Sequence, residues 1–186
     1  MREACIRTAN LGGDATPLYD DPGILAELWA LPYAALEPEL AFVVDDGERA
    51  VGYVVGTADT VRYTQRFRAE LLPALALRYP AGSGDPSRSD PAMVELLHRP
   101  EHLIVPELVD YPAHLHIGLL PGHQRAGHGR RLIGAFVDAL RGQGVPALFV
   151  GMVTANVNAR PFYDRLGFHV IDVPDPGPLT YLGLRC

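Results

Sequence analysis

Between His123 and Leu140 the chain reads HQRAGHGRRLIGAFVDAL. Gly127 and Gly129 lie two apart, and Arg125, Arg130 and Arg131 crowd both sides of them. An amphipathic helix follows, with Leu132, Ile133, Phe136, Val137 and Leu140 on one face. The first N–H groups of a helix have no internal partner and carry the positive end of its dipole. A helix therefore opens by preference on Ser, Thr, Asp or Asn and on acidic side chains, not on arginine. Arginines at that end lower stability unless an anion joins them, and glycines clear side chains from the backbone such an anion would approach. The stretch reads as a phosphate cradle at a strand–loop–helix junction; the plainer reading is a glycine turn with its arginines in solvent. No Gly-Lys-Ser/Thr ends it and no third glycine follows, so it is neither a Walker loop nor a dinucleotide fingerprint.

A second group precedes the cradle. In AHLHIGLL, alternation predicts a strand whose one face carries His114, His116 and Gly118. An imidazole titrates near neutral pH, so either histidine suits proton transfer, and either equally suits a structural hydrogen bond. A metal reading of His-x-His needs further ligands in register, and none is evident.

These residues need elements to hold them. Ala4–Asn10 reads as a first strand, and residues 20 to 38 as a helix begun near Pro22. Leu40–Val44 and Ala50–Val55 flank Asp46-Gly47 as a hairpin. Residues 60 to 80 look helical with an interruption at Pro73. Residues 81 to 91 form a Gly/Ser/Pro loop, residues 92 to 100 a short helix, and residues 101 to 112 are irregular or extended. Pro146–Val153 reads as a buried strand, Asn158–Gly167 as a short helix stopped by its glycine, and FHVIDV and LTYLGL as closing strands. The alternation of strand and helix in the second half is an α/β signature.

At 186 residues, 48% hydrophobic and 20% charged, the chain suits one soluble domain. A net charge of −6 argues against nucleic-acid binding. No apolar run is long enough for a membrane span or a signal peptide, which leads us to expect a cytoplasmic protein. Cys5 and Cys186 have no zinc spacing and are expected as thiols.

LLPGHQRAGHGRRLI resembles the Gln/Arg-x-x-Gly-x-Gly/Ala signature of the GNAT superfamily of N-acetyltransferases, with Gln124, Gly127 and Gly129 at the signature positions. NVNARPFYDRLGF, from Asn156 to Phe168, resembles that superfamily's second signature. YPAHLHIGLLP and the long segment before it look like a bacterial group related to the acetyltransferase-like domain of nuclear-cytoplasmic O-GlcNAcase. The resemblance implies a mixed α/β fold, a central sheet with helices on both faces. It also implies that acetyl-coenzyme A binds where strands 113–120 and 147–154 splay apart. Its pantetheine would meet the backbone of Leu119 and Leu120. Its pyrophosphate would meet Gln124, Arg125, Ala126, Gly127, His128, Gly129 and Arg130. Asn156, with Asn158 as second choice, would contact the cosubstrate, and one of the two would cap the following helix. Tyr163 stands where the family keeps the proton donor for the departing thiolate. Many members hold a carboxylate on the first of these strands; none is present here, which leaves His116, then His114, as the base.

The expected whole is a single domain, 1–186, with an insertion at 59–112 between two sheet strands. Arg62, Tyr63, Arg66, Phe67 and Arg68 of that insertion read as an acceptor-recognising mixture, with a structural lid or a dimer contact as the other reading. The expected activity is acetyl transfer to a small-molecule or peptide amine, with no metal, nucleic acid or membrane partner. An inactive binding module, another acyl donor, a hydroxyl acceptor and a homodimer stay open.

Overall fold

A computed structural model describes Met1–Cys186. Its strands are β1 (Phe42–Asp45), β2 (Ala50–Thr57), β3 (Ala113–Leu119), β4 (Ala147–Val153), β5 (His169–Val170) and β6 (Leu179–Arg185). They make one mixed sheet in the order β1-β2-β3-β4-β6-β5. Every neighbouring pair is antiparallel except β3 and β4, which run parallel. The helices are α1 (Arg2–Ile6), α2 (Gly23–Trp29), α3 (Leu31–Leu36), α4 (Thr60–Arg66), α5 (Leu72–Arg78), α6 (Asp90–His98), α7 (His128–Gly142) and α8 (Arg160–Arg165). No helix is long and apolar enough to cross a membrane.

The period of two along β2 divides the core between two faces. Tyr53 and Val55 pack with Ala4 and Cys5 of α1, Ile24 and Leu25 of α2, and Tyr33 of α3. Val54, on the opposite face, packs with Leu132, Ile133, Phe136 and Leu140 of α7. The α7 stripe read from the sequence is thus the stripe that is buried. On β3, Leu115 joins the α7 face, which leaves His114, His116 and Gly118 on the face of α1 to α3.

Several elements differ from the sequence reading. Ala4–Asn10 is not a strand: Arg2–Ile6 is one short helix whose Ala4 and Cys5 are buried in the core. So short an apolar run has no decisive period, and packing chooses its conformation. Residues 20 to 38 form two helices, broken at Ala30. The helix over residues 60 to 80 is interrupted just before Pro73, as expected, and divides into α4 and α5. Having no N–H, Pro73 sits in the first turn of α5, and the backbone widens into a π-turn over Phe67–Leu71 just before it. Residues 101 to 112 wind through two 3-10 turns, and β5 is only two residues long.

Residues 59 to 112 do join two adjacent strands, β2 and β3. Their arginine–aromatic stretch is structural, however. Tyr63 and Phe67 are buried, and Tyr63 stacks on Tyr33 with centroids 4.2 Å apart. Arg62 faces Glu37, Arg66 binds Glu70 and the Leu36 carbonyl, and Arg68 holds Glu101. These partners tie the three arginines into the fold, while Tyr63 and Phe67 also line a small apolar cavity with Trp29 and His102.

Candidate active site

β3 and β4 pair at only two positions, Ala113 with Leu148 and His114 with Phe149, and then part. Leu120 donates its N–H to the Val51 carbonyl, and Thr154 donates to Pro178. Antiparallel alternation then turns the backbone groups of Ile117 and Leu119, and of Gly151 and Val153, into the gap. The Leu119 carbonyl accepts from the Gln124 side-chain amide at 2.9 Å, while Gln124 Nε2 also approaches the Gly12 carbonyl at 3.4 Å. Leu120 is not on the gap. Its N–H serves Val51 and its carbonyl accepts from His123, so Ile117 is the residue that shares the gap with Leu119.

At the open end of the gap lies the glycine loop. Arg125 has φ 61° and Gly127 φ 81°, two left-handed residues in three. This winding points successive N–H groups into one concavity. The amides of Arg125, Ala126, Gly127, His128, Gly129 and Arg130 donate to no protein acceptor. Three of the chain's few uncompensated cations stand beside them. Of sixteen arginines, eleven pair with a carboxylate; the five that do not are Arg125, Arg130, Arg131, Arg165 and Arg185. Arg131 donates to His128 Nδ1 at 2.6 Å. The two glycines differ in their tasks. Gly127 supplies the positive φ that starts α7 and has open space around it. Gly129 is buried, and a Cβ there would stand 3.0 Å from the Phe162 ring and 3.4 Å from Leu119. Its lack of a side chain lets α7 close on α8 and β3, so it does not act by clearing a path for an anion.

His114 is fully buried. Its Nδ1 lies 2.8 Å from the Thr60 hydroxyl and its Nε2 2.8 Å from that of Tyr33. His116 is partly exposed, with Nε2 3.0 Å from the same Tyr33 hydroxyl and its ring against Trp29. Burial pushes His116 down to about 3 and His114 well below the usual imidazole range, with the neighbouring histidines adding to both. Both rings are therefore neutral at pH 7. The buried carboxylate of this region, Glu37, already accepts from the Thr57 hydroxyl and the Ala58 amide.

Tyr163 is buried between Phe162 and Phe168, with ring centroids 5.1 and 5.2 Å away. Its hydroxyl has no protein partner and is not sealed in the core. Burial raises its pKa, so it stays protonated. Neither Asn156 nor Asn158 caps α8, whose N-cap is Ala159. The capping role expected for one of them is absent, and neither side chain makes a hydrogen bond that would occupy it.

The model of the acetyltransferase (GNAT) family matches residues 92–168. The crystal structure of SsHAT is 54% identical, with a TM-score of 0.93 over 99% of this chain and 91% of that one. The chain belongs to the GNAT acetyltransferase family. Rat protein O-GlcNAcase is 19% identical over 157 residues. That match takes in 83% of this acetyltransferase-family chain and only 17% of the length of the rat protein. An apo agmatine N-acetyltransferase mutant is 19% identical with a TM-score of 0.60, covering 98% of this chain and 89% of its own, and shares the fold.

The sequence reading of this GNAT chain passed over Tyr33, Thr60, Trp29 and His102. His102 donates from Nδ1 to the Arg99 carbonyl, and its ring meets Trp29 edge-on at 6.2 Å. Tyr33 and Trp29 lie in a segment that scans as plain amphipathic helix, where a functional aromatic looks like a core aromatic.

Proposed function

We propose that the chain is an N-acetyltransferase that uses acetyl-coenzyme A and transfers the acetyl group directly to an amine. One coincidence carries this reading: a run of unpaired amides flanked by uncompensated arginines lies at the mouth of a gap across which Ile117 and Gly151 have no strand partner. Both halves suit the proposed cosubstrate. The amides of residues 125 to 130 suit its pyrophosphate, and the strand-like groups of Ile117 and Leu119 suit the amides of its pantetheine arm. Bound there, acetyl-coenzyme A would supply the thioester carbonyl and the leaving thiolate.

The remaining tasks fall to the chain. Gln124 holds the Leu119 carbonyl and so fixes the rim of the gap. Asn156, with Asn158 as second choice, is the proposed side-chain contact to the cosubstrate, and neither is tied up in capping α8. His116 is assigned the proton of the attacking amine because it is partly exposed and no free carboxylate competes with it. Tyr163 keeps a proton at its hydroxyl for the thiolate sulfur. The fold shared with an agmatine N-acetyltransferase supports an amine acceptor, a small molecule or a peptide. On the acceptor side, the 59–112 insertion and α2 line a small apolar cavity with Trp29, Phe67, His102 and Leu103. The insertion shares its core with β2, which supports a single domain over residues 1–186.

Calorimetry with acetyl-coenzyme A tests the cradle. Gly127→Asp places a carboxylate at the concavity, and Asp is among the residues that tolerate a positive φ. Binding in the parent and almost none in the folded variant is expected; equal affinities would refute the reading.

A further inference from the structure

The hydroxyls of Thr60 and Tyr33 and the rings of His114 and His116 form one hydrogen-bonded chain, and its proton directions can be deduced. Thr60 Oγ1 lies 2.8 Å from the Pro112 carbonyl and 2.8 Å from His114 Nδ1. A carbonyl only accepts, so the single hydroxyl proton of Thr60 goes to Pro112. Thr60 must then accept from His114, which carries its proton on Nδ1. His114 Nε2 is left bare and accepts from the Tyr33 hydroxyl. Tyr33 has one proton and has now donated it, so at His116 its oxygen accepts. His116 therefore carries its proton on Nε2. Its Nδ1 is bare, has no protein partner and is not sealed in the core.

We propose that Tyr33 and Thr60 are positioning residues that lock His116 in the Nε2–H tautomer and so leave Nδ1 as the atom that receives the proton of the acceptor amine. The proposal rests on the acetyl-transfer reading of this site and identifies which atom of the base acts. The chain positions the ring and does not conduct a proton away. Its inner end is the Pro112 carbonyl, which is no base, and the next ring inward, His114, is fully buried. A proton taken by Nδ1 therefore passes on to solvent from His116 itself, the partly exposed member, and is not stored on the buried ring. The ring is held on its other sides by Trp29, with centroids 5.1 Å apart, and by Tyr33 at 4.9 Å. Tyr33 is itself clamped by its stack on Tyr63.

Long-range nitrogen–proton NMR of the histidine rings in the full chain reads the tautomers directly, without any substrate. The wild type should show His116 protonated on Nε2 and His114 on Nδ1. Tyr33→Phe keeps the ring stack but removes the hydroxyl, and should turn His116 into a tautomer mixture. With a responsive amine, kcat of that variant should fall about tenfold while KM for acetyl-coenzyme A stays within about twofold. Thr60→Val, which removes the acceptor for His114, should move the same resonances and serves if Tyr33→Phe does not fold. A wild-type His116 protonated on Nδ1, or a tautomer unmoved by Tyr33→Phe, overturns the proposal. So does a variant that changes only KM. Correct tautomers with no transfer to any amine would refute the acetyl-transfer reading and leave the tautomer lock standing.

Discussion

Lowering the pH from 7 to 5 should destabilise this fold chiefly through two rings. His116 and His114 are neutral in the folded chain because burial disfavours their charged forms. In the unfolded chain both titrate near the ordinary histidine value of about 6.5. Below that pH the unfolded state binds protons that the folded state refuses, so stability falls as pH drops and keeps falling until His116 itself protonates near 3. Between pH 7 and pH 5 this is about 2 kcal/mol for His116, and about 4 kcal/mol with His114 added, against a typical total of roughly 5–15 kcal/mol. Carboxylates contribute little in that window because they titrate lower. The assay is urea unfolding at both pH values for the parent and for His116→Gln, whose side-chain amide can still donate to Tyr33 but does not titrate. The parent should lose about 2 kcal/mol more than the variant over the two pH units. Parallel losses would show that His116 is readily protonated in the folded state, and the reasoning about its burial would be wrong.

Tyr163→Phe removes a hydroxyl that has no structural partner, so unfolding midpoints should hardly move while acetyl transfer falls by roughly 10²–10⁴-fold; a loss below about threefold would make Tyr163 a packing residue. Tyr63→Ala empties a buried site stacked on Tyr33 and should lower stability by about 3–5 kcal/mol in denaturant titrations, with the affinity of the folded fraction for acetyl-coenzyme A unchanged. A stable variant with altered acceptor preference would instead restore a recognition role to that residue. Gly129→Val should fail to pack α7 against Phe162, seen as a lowered thermal midpoint; an unchanged midpoint would contradict the close approach found there.

What could be read in the sequence was local. The glycine–arginine opening of α7 breaks the usual rules for a helix start within a few residues, and the structure has at that place the free amides such a pattern calls for. The face shared by His114, His116 and Gly118 follows from the period of a strand and is present in β3. The strand gap was anticipated only through resemblance to a family, since nothing in either strand announces where its partner departs. Long-range partners were invisible. Tyr33 meets His116 across 83 positions and Thr60 meets His114 across 54, and no spacing rule connects them. Gly129 shows a different limit: glycine in a loop signals freedom, but here it marks a close approach by Phe162 from a helix thirty residues on. Ala4–Asn10 was misread because one helical turn and one short strand carry the same few apolar residues.

Acetyl transfer from acetyl-coenzyme A to an amine, as proposed for this chain, leaves a free thiol and an acetylated acceptor. The direct measurement is thiol release from acetyl-coenzyme A with a panel of small-molecule and peptide amines, with mass spectrometry of the acceptor in each reaction. Amine-dependent thiol release is expected, with an acceptor heavier by one acetyl group on nitrogen and both signals lost in Gly127→Asp and His116→Gln. Binding of acetyl-coenzyme A with no thiol released by any amine, or release that survives both substitutions, would contradict the proposed transfer.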